Sequence, residues 1–266
     1  MDFIDKHAEQ PFFLYFSPTI PHAELSVPEE NMRQYDGKFQ EKPFAGGHYC
    51  AQPKPRAAYA AMVTLLDKNV GQIVDLLKQK GVYENTIIIF TSDNGVHQEG
   101  GHDPHYFNSN AGLRGIKRDF YEGGIRTPFI VRWPGVVAPG SRNHHISAFW
   151  DFLPTVCDIT GITIPHGIDG VSYLPILKGQ KQPVHDYLYF EFFEKKGTQA
   201  VIQDDWKLLC LQVNAPGKMR YELYNLKTDP KEQRNMASLY PERVEQLKVL
   251  MKQAHTKNPI FNFNFE

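Results

Sequence analysis

Cysteine is scarce in this chain of 266 residues: there are three, Cys50, Cys157 and Cys210. Three thiols are too few for a disulfide scaffold, so the fold has to rest on burial, and the length allows one large domain, or a domain plus a smaller one. A surplus of charge is also lacking. Twenty-nine Lys and Arg stand against 30 Asp and Glu, a net charge of -1. That balance points away from a nucleic acid partner and from an acidic membrane surface. No apolar run is long enough to span a bilayer. The residues Met1-Asp2-Phe3-Ile4-Asp5-Lys6-His7 lack the basic-then-apolar order of a secretion signal.

What the chain does have is one dense stretch, Thr86 to Gly135. Thr86 to Thr91 is an apolar run rich in β-branched residues, the pattern of a strand buried on both faces of a parallel sheet. It ends in Ser92-Asp93-Asn94-Gly95. Ligands of open α/β sheets collect beyond the carboxyl ends of strands. The adjacent oxygens of Asp93 and Asn94 suit a hard cation such as Ca2+ or Mg2+. The same residues are equally ordinary turn chemistry. A loop of about thirty residues follows, and inside a compact domain such a loop is either functional or disordered. It carries His97, Glu99, His102, Asp103, Arg114, Lys117, Glu122, Arg126 and six glycines. A second strand pattern, Pro128 to Trp133, closes it and favours a fixed, functional loop.

Four blocks in order carry a resemblance. They are Ser92-Asp93-Asn94-Gly95, Leu113-Arg114-Gly115-Ile116-Lys117, Tyr121-Glu122-Gly123-Gly124-Ile125-Arg126 and Trp133-Pro134-Gly135. Together they resemble the second half of the arylsulfatase-type, formylglycine-dependent sulfatases of the alkaline phosphatase superfamily. The resemblance implies that Asp93 and Asn94 are two ligands of a Ca2+ ion, with Mg2+ as the alternative. It implies that Lys117 is a cation on the sulfate oxygens. It also makes His22, in the strand-end block Pro18-Thr19-Ile20-Pro21-His22, a sulfate-binding histidine able to act as acid or base. His97, Glu99, His102 and Asp103 have no general counterpart in the family. Their place after the cation pair makes them candidates for holding the non-sulfate part of a substrate, and bracing the loop is an equal reading. Glu122 and Arg126 read as a structural pair. Phe193 departs from the family, whose Glu-Phe-x-Glu segment often carries histidine.

The formylglycine nucleophile arises from a Cys-x-Pro-x-Arg pattern. Cys50 stands in Cys50-Ala51-Gln52-Pro53-Lys54-Pro55-Arg56, with proline and arginine at the wrong offsets. No residue of this chain therefore reads as the nucleophile, and an upstream segment carrying it is expected. Cys157 and Cys210 read as buried free thiols.

Elsewhere, Pro11 to Ser17 has the continuous apolar and aromatic character of a buried strand. Ala57 to Lys80 has helical apolar spacing and ends at Gly81. With Thr86 to Thr91 these would make a βαβ unit. Ser147 to Gly161 and Pro241 to His255 are amphipathic helix patterns. The paired His144 and His145 have no third ligand at metal spacing. Tyr187 to Phe193, Thr198 to Gln203, Trp206 to Val213 and Tyr221 to Asn225 alternate and read as an antiparallel sheet.

The expected fold is thus α/β: a mostly parallel sheet flanked by helices over residues 1–180, with a small antiparallel sheet and a helix over 181–266. The expected function is that of a sulfuric ester hydrolase fragment acting on a sulfated small molecule or glycan. A related phosphate or phosphonate hydrolase is the second reading, and an inactive anion-binding protein the third. The family resemblance implies a periplasmic, secreted or lysosomal setting.

Overall fold

A computed structural model describes residues 1–261 and Phe263; Asn262, Asn264, Phe265 and Glu266, the end of the 181–266 half, lie outside the described residues. The chain divides into two units. One comprises Met1–Phe90, Val96–Ser109 and Ile130–Gly135. The other comprises Thr91–Gly95, Asn110–Phe129 and Val136–Glu266.

The first unit holds helices α1 (Asp2–His7), α2 (Glu29–Arg33), α3 (Pro55–Gln79) and α4 (Pro104–Phe107). The long helix α3 begins with Pro55, whose fixed φ suits a first helical position. It stops at Gly81 (φ 72), where Val82 N donates to Leu77 O at 3.1 Å and Gly81 N to Lys78 O at 3.0 Å. Its first turns bury Ala57, Ala58, Ala61 and Met62, with Ala58 and Met62 packed against Leu25. Its last turn buries Leu76 and Leu77 against Ile4. Asp67 and Lys68 lie exposed on its outer side.

Strands β1 (Ile88–Thr91) and β2 (Phe129–Arg132) pair in a two-stranded sheet. Both are shorter than their sequence patterns and neither is buried on both faces. Phe90 is 36% exposed, Phe129 46% and Ile130 61%. The expected strand over Pro11 to Ser17 does not form, and with it goes the expected βαβ unit. Those residues run without regular structure, and Phe13 and Tyr15 are 66% and 69% exposed. An apolar run becomes a strand only where a neighbouring backbone pairs with it, and no described strand lies beside this one.

The second unit holds α5 (Glu122–Ile125), α6 (Phe152–Thr160), α7 (Leu174–Leu177), four strands and α8 (Pro241–Ala254). The strands β3 (Leu188–Phe192), β4 (Thr198–Gln203), β5 (Trp206–Leu211) and β6 (Arg220–Asn225) form an antiparallel sheet in chain order. Register pairs Ala200 with Leu209 and Lys207 with Tyr224. One face packs Val201, Leu208, Cys210 and Leu223 against Val244, Leu247 and Met251 of α8. The opposite face packs Ala200, Leu209 and Tyr224 against Phe120 and Tyr121. This is the small antiparallel sheet with its helix that the alternating sequence pattern specifies. Cys157 and Cys210 are buried free thiols.

Candidate functional site

Gly95 follows the Asp93–Asn94 pair for a steric reason. Its N–H donates to Gly124 O at 2.8 Å. A Cβ on Gly95 would lie 2.0 Å from Gly123 O, a distance no side chain tolerates. The contact is just as close on the other side. A Cβ on Gly123 would meet Gly115 O at 2.3 Å, and one on Gly124 would meet Asp119 O at 2.2 Å. Gly123 N donates to Arg114 O at 2.7 Å. The Gly-Gly pair of α5 is therefore a hub pressed between two backbones. On one side is the turn that carries Asp93 and Asn94. On the other is the 114–119 loop that carries Lys117. The Lys117 turn is closed by Asp119 N on Ile116 O at 2.9 Å and by Ile116 N on Asp119 Oδ2 at 3.1 Å.

A buried ion cluster holds the hub. Lys207 and Glu232 are fully buried and Glu122 is 8% exposed. Lys207 Nζ lies 2.8 Å from Glu232 Oε1 and 3.0 Å from Glu122 Oε1. Glu122 N donates to Glu232 Oε2 at 2.6 Å. Burial pushes the Glu232 carboxyl up, against the pull of Lys207. Arg126 Nη1 stands 3.5 Å from Glu122 Oε2, so these two do form a structural pair. Arg114 completes the frame, donating to Tyr224 OH at 2.7 Å, to Glu232 O at 2.9 Å and to Tyr121 OH at 3.0 Å. Tyr121 and Tyr224 both donate to Glu222 Oε2, at 2.6 and 2.7 Å. Burial raises the Glu222 carboxyl, but those hydroxyls and Arg114 outweigh it and hold it below the usual carboxylate range.

The resemblance implies a cation, and the donor set fits one in kind. Asp93 is exposed. Asn94 Nδ2 donates to Gly95 O at 2.8 Å, which leaves Oδ1 as the acceptor of its amide. Two such oxygens are a fraction of the roughly six to eight that Ca2+ takes. Among the described residues no group of three or more His, Cys, Asp or Glu side chains is placed to share a metal ion.

The remaining candidates lie in the first unit. His22 Nδ1 is 2.7 Å from Ala23 O, and its Nε2 is 3.5 Å from Glu99 Oε2. Tyr49 OH also donates to Glu99 Oε2, at 3.3 Å. His97 stacks on His22 with centroids 5.5 Å apart. Its Nδ1 accepts Glu99 N–H at 3.0 Å, so the proton sits on Nε2, which donates to Pro21 O at 2.9 Å. Both nitrogens of His97 are thus engaged in holding the Pro21–His22 turn. His102 is 4% exposed and stacked on Tyr59 with centroids 3.5 Å apart, and neither ring nitrogen has a hydrogen-bond partner. Burial, aided by His97, pushes its pKa down to about 3, so the ring is neutral. Asp103 caps α4, accepting from His105 N and Tyr106 N at 3.1 and 3.3 Å, and pairs with Arg56 at 3.3 Å. Cys50 is exposed, and the carboxylate of Glu24 pushes its thiol up, away from a reactive thiolate.

The sequence pattern singles out the candidate residues but not Lys207 and Glu232, which anchor the hub. One signal was available. Alternation places Lys207 on the same face as Leu209, and a lysine on an apolar strand face requires a buried carboxylate. A cavity of about 330 Å³ lined by Trp150, His185, Asp186 and Tyr187 includes none of the candidate residues.

The turn that carries Asp93 and Asn94 and the turn that carries Lys117 thus pack on one glycine hub. The sulfatase family model matches residues 1–162, and the model for the N-sulphoglucosamine sulphohydrolase C-terminal region matches residues 115–257. The chain belongs to the sulfatase family. The uncharacterized sulfatase YdeN of Escherichia coli K12 is 37% identical over 66% of this chain and 29% of its own length. The N-acetylgalactosamine-6-O-sulfatase of Bacteroides thetaiotaomicron is 28% identical over 96% of this chain and 49% of its own. The crystal structure of Ps i-CgsB in complex with k-i-k-neocarrahexaose is 26% identical with a TM-score of 0.78, covering 95% of this chain and 52% of that one. The chain spans no more than about half the length of these relatives.

Proposed function

We propose that this chain supplies the cation tip and the anion-binding cations of a sulfuric ester hydrolase whose substrate is a sulfated carbohydrate. The observation that carries the reading is the glycine hub, which packs the Asp93–Asn94 turn and the Lys117 turn against one Gly-Gly pair. Asp93 and Asn94 would hold Ca2+, or Mg2+, together with oxygens from residues other than these two. That cation would supply positive charge to the sulfate oxygens as the ester bond breaks. Lys117 acts as a point charge on the same oxygens. His22 binds the anion and serves as acid or base toward the alcohol oxygen. Glu99 and Asp103, the less buried members of their group, contact the sugar. His97 and His102 stand behind them as support. The formylglycine nucleophile comes from outside these 266 residues. The same reading places β1 and β2 in a parallel sheet within a catalytic region of residues 1–180, followed by a C-terminal subdomain of residues 181–266, in a protein that works in the periplasm, outside the cell or in a lysosome.

A titration with a chromogenic aryl sulfate tests this. The chain is expected to bind the ester in the presence of Ca2+, to lose most of that binding in Lys117→Ala, and to release no product. Product release sinks the claim that the nucleophile lies elsewhere. Failure to bind any sulfate ester or inorganic sulfate sinks the reading itself.

A further inference from the structure

We propose that Lys207 and Glu232, which touch no reacting group, are positioning residues that set the geometry of the Asp93–Asn94 tip and of the Lys117 turn. What the tip binds rests on the sulfatase reading above; how it is held does not.

Glu232 grips Glu122 by its backbone N–H, and Lys207 grips Glu122 by its carboxylate, at 2.6 and 3.0 Å. Glu122 is thereby fixed at two points. The next two residues, Gly123 and Gly124, leave no gap of even a methyl group toward Gly95, Gly115 or Asp119. Packed backbones without free volume shift together. A displacement of Glu122 therefore passes in two residues to the turn after Asn94 and to the turn that holds Lys117. Lys207 occupies a strand position opposite Tyr224, beside inward-facing Leu209, where an apolar side chain would avoid the desolvation of three charged groups. The Lys207–Glu232 pair holds Glu122 by both its backbone N–H and its carboxylate.

Hydrogen exchange at the Gly95 amide reads this coupling without any turnover. Two variants serve: Lys207→Met/Glu232→Met, which removes one charge of each sign, and Lys207→Arg, which keeps the charge but moves it. In the wild type, Gly95 is expected to exchange slowly. In the double variant it should exchange roughly tenfold faster relative to the Leu208 and Leu223 amides of the sheet, with a smaller change in Lys207→Arg. Shifts induced by inorganic sulfate at Lys117 should require a similarly higher sulfate concentration, while the melting temperature of Lys207→Arg stays near that of the wild type. If Gly95 changes only in step with the sheet, or already exchanges freely in the wild type, the proposal is overturned. If the double variant does not fold, Lys207→Arg decides between the same two outcomes. If sulfate shifts nothing in the wild type while Gly95 still responds, the sulfatase reading fails and the positioning role stands.

Discussion

The loop that follows Asn94 is held by two different kinds of force. Its first arm, residues 97–107, is held by rings. His97 and His102 stack with His22 and Tyr59, and His102 is a neutral imidazole with no hydrogen bond to its nitrogens. Its second arm, residues 114–126, is held by charge and by glycine. Arg114, Glu122, Lys207 and Glu232 are bonded at 3.0 Å or less, and Gly123 and Gly124 touch backbone on both sides. Ring stacking is weakly directional and tolerates exchange of one flat group for another. Buried ion pairs and close backbone approach are directional and tolerate almost nothing. The second arm carries the lysine on which sulfate binding is proposed to depend, so its rigid hold suits its task.

The second arm should be the more sensitive of the two to substitution. Gly123→Ala drives a methyl group into Gly115 O and Arg114 O, at 2.3 and 2.6 Å. Backbone cannot yield there as a side chain can, so a loss of about 3 kcal/mol or more is expected in urea unfolding. A loss under about 1 kcal/mol would show the hub to be loose. Arg114→Met comes next. It removes the donors to Tyr224, Tyr121 and the Glu232 carbonyl, and about 2 kcal/mol is expected, since part of the guanidinium is solvated. In the first arm, Asp103→Ala removes the cap of α4 and the Arg56 partner, and about 1 kcal/mol is expected.

The smallest effect at neutral pH sharpens the contrast most. His102→Phe replaces a stacked ring that makes no hydrogen bonds, and a change within about 1 kcal/mol is expected. The difference grows with acid. The folded imidazole has a pKa near 3 against an ordinary 6.5, so the unfolded chain takes up the proton first. The histidine's favourable contribution is therefore present above about pH 6.5 and is lost as pH falls toward 3, by up to ~1.36 kcal/mol per unit. Unfolding curves of wild type and variant at pH 7 and pH 5 should diverge, with the phenylalanine form the more stable at pH 5. Parallel curves would mean that His102 is not buried in its neutral form.

Much of the second unit was legible from sequence. Alternation fixed the four strands of the antiparallel sheet nearly to the residue, since each such strand shows its inward face directly. The apolar stripe gave α8 (Pro241–Ala254) to within one residue. The Glu122–Arg126 pair was also foreseen. In the first unit Pro11 to Ser17 was misread. An aromatic run states that a segment is apolar but not whether a backbone lies beside it to pair with. His97 and His102 read as substrate contacts or loop braces alike, because nothing in their order reveals that Tyr59 stacks on His102 and that His97 bonds the Pro21 carbonyl.

Sequence alone singled out the candidate carriers of the chemistry, since four short blocks in order place Asp93, Asn94 and Lys117 in a pattern that resembles the family's. Only the tertiary structure decided what holds them. Lys207 and Glu232 lie 85 and 110 residues from Glu122 along the chain. Their contact is made by the register of one sheet and by burial in a dry interior, and neither leaves a local signature in the order of the residues.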